Sequence, residues 1–277
     1  LGGAATMSGD PPNIIIGTAL GLSFGDFLRN TGLIALVSMV VIVPYFYFCF
    51  RKDMKQVDEA ARQRAMALEP RECIPNLRKF FVSVGIFLLT VVLLVTHAMT
   101  GLTVAMVGVI AAVLTLATNK TPLRLLQRVD WQTILFFLGL FVTVSGLEQT
   151  GVLMAMANGI ANITGGNLTI MVIVVIWLSA VASAFVDNIP FAATMVPVIT
   201  SLSSTMGVDL NTLAWTLSMG TDIGGSATPI GASANVAGTA IAAREGHPIS
   251  WGRYCKYSAP AAVIVVAISM AIILLRY

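Results

Sequence analysis

Charge is what this 277-residue chain has least of. Asp, Glu, Lys and Arg make up 10% of it and hydrophobic residues 57%, where soluble domains hold about 25% and about 45–50%. Positions 129–243 contain no Lys or Arg at all. Histidine is limited to His97 and His247, and cysteine to Cys49, Cys73 and Cys255 with no paired spacing. A disulfide framework and a zinc site are therefore not indicated. No Gly-x-Ser-x-Gly or His-Glu-x-x-His string is present, so nothing supports an intramembrane hydrolase. The net charge of +3 sits in short loops and forms no basic patch of the kind nucleic acid requires.

What fills the chain instead is long apolar runs. Residues 33–50, 81–96, 129–147, 168–186 and 261–275 are each long, or nearly long, enough to cross about 30 Å of hydrocarbon. Short alternating segments of the β-barrel kind do not occur. The expected fold class is an all-α polytopic membrane protein.

Loop charge orients it, because Lys and Arg concentrate in cytoplasmic loops. Segment 51–79 holds half of all Lys and Arg, which makes it a cytoplasmic amphipathic linker between two halves. Spans 33–50 and 81–96 then enter and leave that linker, with an external turn at His97-Ala98-Met99-Thr100-Gly101. Span 102–118 returns to a basic loop with Lys120, Arg124 and Arg128, and span 131–147 goes out again. Segment 149–163 is expected to lie at the external interface.

Two apolar arms, 168–186 and 191–204, flank Asp187-Asn188-Ile189-Pro190. Pro190 lacks a donor and disfavours helix at Ile189, so the chain should break there. A re-entrant hairpin over 168–206 is the expected form, tolerated only where its tip is buried in protein or lines a cavity. A broken helix, 210–243, and a last spanning helix, 261–275, complete the chain.

One segment occurs twice. Gly2-Gly3-Ala4-Ala5-Thr6-Met7-Ser8-Gly9-Asp10-Pro11-Pro12-Asn13 aligns without gaps on Gly224-Gly225-Ser226-Ala227-Thr228-Pro229-Ile230-Gly231-Ala232-Ser233-Ala234-Asn235. Both read G-G-x-A-T-x-x-G-x-x-x-N. Ser23-Phe24-Gly25 and Ser250-Trp251-Gly252 follow in the same order, and each leads into a long apolar stretch. Paired breaks in two halves point to a secondary transporter's binding site. Loop charge puts the two serine steps on opposite sides, so the repeats should be inverted. Residues 1–50 are then the end of the first repeat, 51–79 the linker, and 80–277 the second repeat with three spanning helices before the interfacial segment. The chain opens inside the first motif, and we expect it to be part of a longer transporter.

Each break supplies unwound carbonyls and the amino end of a half-helix, which suit a hard cation and an anion or dipolar solute respectively. The candidate site residues are Thr6, Gly9, Asp10 and Asn13 in the first motif, and Gly224, Gly225, Ser226, Thr228, Gly231 and Asn235 in the second. Asp187 and Asn188 at the hairpin tip and Asp222 before the second motif join them. A carboxylate at bilayer depth without a cation must be protonated, paired or holding an ion. Asp187 is the leading candidate for coupling to H⁺ or Na⁺. The competing reading is that Asp187 or Asp222 caps a helix. Asp209 reads as a helix cap.

Three strings resemble a known family: Gly9-Asp10-Pro11-Pro12-Asn13-Ile14-Ile15-Ile16-Gly17, Asp187-Asn188-Ile189-Pro190-Phe191 and Val129-Asp130-Trp131. They are similar to the ion transporter superfamily, which groups arsenite permeases, sodium–proton antiporters, citrate-transporter-like proteins and the P protein. They are most like the arsenite permease and P-protein branch. The resemblance implies two inverted repeats, each with a re-entrant hairpin and a broken helix, and elevator-type movement of those parts. In the related dicarboxylate symporters the tip reads Ser-Asn-Thr, where this chain has Asp187-Asn188-Ile189. An acidic tip repels a di- or tricarboxylate and favours a cation or a neutral solute.

The expected function is secondary transport of an inorganic ion, of the arsenite or sodium–proton class, coupled to H⁺ or Na⁺. A sodium- or proton-coupled citrate or dicarboxylate transporter is the alternative. No cofactor is expected beyond the coupling ion, and no metal beyond a candidate Na⁺ site. The expected partners are the lipid bilayer and a small ion or solute, with no nucleic acid, and a homodimer is left open. The expected location is the cell (inner) membrane.

Overall fold

A computed structural model describes residues 1–54, 63, 66, 67, 69, 71, 74, 76–119, 121–127, 129 and 131–277. Most of the expected linker, with Lys120, Arg128 and Asp130, lies outside the described residues. Among those described, every regular element is a helix. In chain order they are α1 (Pro11–Leu20), α2 (Phe24–Met54), α3 (Leu77–Thr100), α4 (Val104–Thr118), α5 (Pro122–Gln127) and α6 (Trp131–Gln149). Then come α7 (Val152–Thr164), α8 (Leu168–Phe185), α9 (Asn188–Met206), α10 (Leu210–Gly225), α11 (Ser233–Arg244) and α12 (Trp251–Arg276).

Five described helices are long and apolar enough to cross a membrane: Phe24–Lys52, Leu77–Thr100, Leu168–Phe185, Asn188–Met206 and Trp251–Arg276. Their outer faces carry large apolar side chains in the open, such as Leu36 and Val40 on α2 and Phe81 and Phe87 on α3. A solvated surface of that kind would drive aggregation, whereas hydrocarbon is its proper solvent. The protein is an all-α polytopic membrane protein.

Several helix ends differ from the expectation, among them the start of α2, which lies at Phe24 and not near 33. Residues 97–100 continue α3, where Thr100 Oγ1 bonds back to the Thr96 carbonyl at 3.2 Å, and the chain turns at Gly101 with φ 70°. An apolar count undervalues Thr and His, whose polar atoms find backbone acceptors within a helix. The last helix begins at Trp251 rather than near 261, because Ser250 caps it through a bond from the Arg253 amide. The polar first turns of α12 are helical without being apolar.

The chain forms two compact units. The smaller one, 46–131, contains the antiparallel pair α3 and α4. The larger one, 1–45 with 132–277, holds both repeated motifs and the pair α8 and α9. At its centre lies α10, buried from Thr212 to Gly225 and packed against α8, α9, α12 and α1. The stretch 210–225 is too short to span and is shielded by helices on several sides, so its periodic apolar face is replaced by burial all round.

The helices that follow the two motifs correspond. Ser23 and Ser250 each precede a long helix and accept the amide of the residue three further on, Asp26 at 3.1 Å and Arg253 at 3.4 Å. They also run in opposite directions. Tyr45 bonds the Tyr257 carbonyl, while Arg276 and Tyr277 bond Arg29 and Asn30. The beginning of α2 therefore lies beside the end of α12.

Candidate functional site

The two repeated motifs fold alike. The Asn13 amide donates to the carbonyls of Gly3 at 3.4 Å and Thr6 at 3.3 Å. The Asn235 amide donates to the equivalent carbonyls, Gly225 at 2.9 Å and Thr228 at 3.0 Å. Each asparagine thus ties together two carbonyls of its unwound segment, and in the first motif these carbonyls also accept the Thr6 and Gly9 backbone amides. The glycines are required by close approach. A Cβ on Gly3 would stand 3.1 Å from the Gly9 carbonyl, and one on Gly225 would stand 2.9 Å from the Gly231 carbonyl. Asp10 and Ala232 precede the two half-helices in extended backbone, and neither caps its helix through a side chain. The Asp10 carboxylate is therefore not used by its own helix.

The break between α8 and α9, the expected hairpin tip, lies on the second motif. Val186 leaves α8 in extended backbone, and Asp187 Oδ1 caps α9 by accepting the Ile189 amide at 3.0 Å. The Asn188 backbone N–H donates to the Gly231 carbonyl at 3.2 Å. Ser183 Oγ donates to the Thr221 carbonyl at 2.7 Å, and Thr228 Oγ1 donates to the Ala184 carbonyl. A Cβ on Gly225 would stand 3.3 Å from both Asn188 Cβ and Ser183 Oγ. The first motif reaches the same place, with Asp10 beside the Asn188 side chain.

Asp222 sits on α10 between these parts and is 8% exposed. Neither carboxylate oxygen has a hydrogen-bond partner. The Asn13 side chain lies beside it, but the Asn13 amide hydrogens point to Gly3 and Thr6. Ser218, one turn earlier on α10, spends its hydroxyl on Asn13 Oδ1 at 2.6 Å. On the neighbouring face of α10, Gly220 and Gly224 meet the backbone of α8. A Cβ at Gly220 would stand 2.7 Å from the Ile176 carbonyl, and one at Gly224 would overlap Ala180.

Thr6, Gly9, Asp10, Asn13, Asp187, Asn188, Asp222, Gly225, Thr228, Gly231 and Asn235 thus belong to one region where both motifs and the tip meet. Gly224 serves close packing of α10 on α8. Ser226 is exposed and returns its hydroxyl to the Ile223 carbonyl, closing the helix end. Sequence reasoning missed Ser183, Ser218 and Gly220. The Gly220-x-x-x-Gly224 spacing is a signal for close helix contact. The two serines offer no such signal, since their partners are 38 and 205 residues away.

A family model described as CitMHS, citrate transporter, matches residues 1–220. The chain belongs to that citrate transporter family. It is 34% identical over its whole length to an uncharacterized transporter of Mycobacterium tuberculosis and covers 65% of that protein. It is 36% identical to a 46 kDa membrane protein of Mycobacterium leprae, again over the whole chain and 65% of the relative. The human P protein is 35% identical over 165 residues, 55% of this chain and 19% of its own length. The chain spans just under two thirds of the mycobacterial relatives it matches. Membership of a transporter family and the apolar helices agree on an integral membrane protein.

Proposed function

We propose that the chain is part of a secondary active transporter that carries an inorganic ion coupled to H⁺ or Na⁺, rather than an enzyme. The observation that carries this is the meeting of two unwound motifs and a hairpin tip around Asp10, Asp187 and Asp222, which lie in two stretches, 1–28 and 129–243, without Lys or Arg. Unwound carbonyls, half-helix ends and buried carboxylates together make a place where a cation is held and exchanged. The hairpin is re-entrant in this reading, and the antiparallel α2 and α12 support inverted repeats. The protein sits in the cell (inner) membrane with segment 51–79 cytoplasmic.

A second reading, transport of citrate or a dicarboxylate with Na⁺ or H⁺, is favoured by the family's description. The carboxylates of Asp10 and Asp187 stand against a free polyanion at the tip. Proteoliposomes with the full-length protein separate the two. Uptake and efflux are measured for arsenite, Na⁺, H⁺ and citrate, each under an imposed Na⁺ or proton gradient. Inorganic-ion flux that citrate neither drives nor blocks supports the first reading. Gradient-driven citrate accumulation without inorganic-ion flux replaces it with the second.

A further inference from the structure

We infer that the groove where the start of α2 meets the end of α12 binds the phosphate of an anionic phospholipid, with an acyl chain lying along α2. This goes beyond the transport reading and is independent of which solute is carried. The groove has a volume of about 540 Å³ and is lined by Leu28, Arg29, Gly32, Leu33, Leu36 and Arg276. Arg276 Nη1 donates to the Arg29 carbonyl at 2.9 Å, which brings the two arginines to one place. Tyr277 fixes the junction by donating its hydroxyl to Asn30 Oδ1 at 2.6 Å.

Two cations side by side call for an anion. Among the described residues no carboxylate lines the groove. The nearest acid in sequence, Asp26, turns its Oδ2 to the Ser23 backbone N–H at 2.8 Å and to the Ser23 hydroxyl at 2.6 Å. A guanidinium carries five donors in a planar fork, and Arg276 spends one of them on the Arg29 carbonyl. That fork matches phosphate oxygens, and basic pockets between membrane helices bind anionic headgroups.

The rest of the groove selects a lipid over a free anion. Arg29, Leu33 and Leu36 stand at i, i+4 and i+7, so one stripe of α2 carries them. Leu36 lies about 10 Å further along the helix than Arg29. Leu28, Leu33 and Leu36 are all exposed, on a helix long enough to span. A headgroup at Arg29 therefore lays its chain on Leu33 and Leu36. Gly32 stands against the first motif, where a Cβ would lie 3.2 Å from the Ala5 carbonyl.

The other end of the same helix pair gives a second sign. Arg29 follows Ser23 by six residues, as Lys256 follows Ser250. Tyr45 bonds the Tyr257 carbonyl, so Lys256 lies near residue 45 of α2, about 24 Å along the helix from Arg29. That is close to the thickness of the hydrocarbon layer. A cation at the same step of both helices thus marks both membrane surfaces, and lipid phosphate is the anion both surfaces share.

The test is native mass spectrometry of the purified full-length protein in detergent, titrated with dioleoylphosphatidylglycerol or dioleoylphosphatidylcholine. Wild type should bind phosphatidylglycerol saturably and about tenfold more tightly than phosphatidylcholine, whose ammonium the two arginines repel. Arg29→Gln combined with Arg276→Gln should lose about tenfold in affinity for phosphatidylglycerol and bind the two lipids alike. Arg244→Gln, which removes a cation from the end of α11, should bind like wild type. Equal affinity of the double variant and wild type overturns the proposal, as does equal binding of the two lipids by wild type. Displacement of phosphatidylglycerol by inorganic phosphate or citrate overturns it too, since the groove would then hold a soluble anion. Should the double variant not yield monodisperse protein, Arg29→Gln decides, because it leaves the Arg276 bond to the backbone in place. A several-fold loss in that variant supports the site, and unchanged affinity overturns it.

Discussion

The Ser218 hydroxyl donates to Asn13 Oδ1 at 2.6 Å, joining residues 205 positions apart. Asn13 closes the first broken motif, and Ser218 lies on the buried helix that leads into the second. A single bond therefore ties the shape of one repeat's loop to the core helix of the other. That coupling is what a transporter built from two repeats needs if both loops are to hold one solute.

The two asparagines should be unequal. Asn13→Ala removes two amide bonds and orphans the Ser218 hydroxyl, while Asn235→Ala removes two bonds at a partly exposed place. We expect Asn13→Ala to destabilise by about 2–3 kcal/mol and Asn235→Ala by about 1–2 kcal/mol. Thermal unfolding of the full-length protein in detergent measures both. Equal losses would mean that the Ser218 bond contributes nothing.

Close packing of α10 on α8 should tolerate no side chain at position 224. A Cβ there meets the Ala180 backbone rather than a flexible side-chain tip. Gly224→Ala is expected to lower stability by about 1–3 kcal/mol through overpacking, with a lower unfolding temperature. Gly238→Ala on α11, where a Cβ meets nothing, should leave stability unchanged or raise it by up to about 1 kcal/mol.

Asp187→Asn keeps both the size and the capping capacity of the side chain. The protein should therefore insert and fold as wild type does, judged by expression and monodisperse elution. Flux should fall or lose its ion dependence, because the charge at the tip is gone. Unchanged flux with unchanged Na⁺ and pH dependence would leave Asp187 with the capping role alone.

Segment 51–79 is a linker by sequence, and shortening it within Lys55–Glu69 in the full-length protein should preserve most transport activity. The measurement is initial uptake rate at matched membrane insertion. Loss of flux with normal insertion would show that the segment takes part in transport.

The asparagine and glycine repeat was legible from residue types alone. Gly3, Gly9 and Asn13 recur as Gly225, Gly231 and Asn235 because a broken helix needs the same local devices wherever it occurs. Backbones that approach this closely exclude a Cβ, and unwound carbonyls need an amide donor. The break was legible to within a few residues, but it falls at Val186 and Asp187 and not at Ile189, because Asp187 caps α9 and Pro190 sits in its first turn, where no helical donor is needed. Apolar length in turn determined that the chain spans a membrane, because hydrocarbon thickness sets it. Tertiary structure alone decided which of these local features meet. Ser183 and Ser218 read as ordinary small residues until packing brings Thr221 and Asn13 to them. It also separated two aspartates that looked equivalent in the chain. Asp187 spends an oxygen on the amide two residues ahead, a local bond, whereas the surroundings of Asp222 come from distant segments and leave both oxygens unsatisfied.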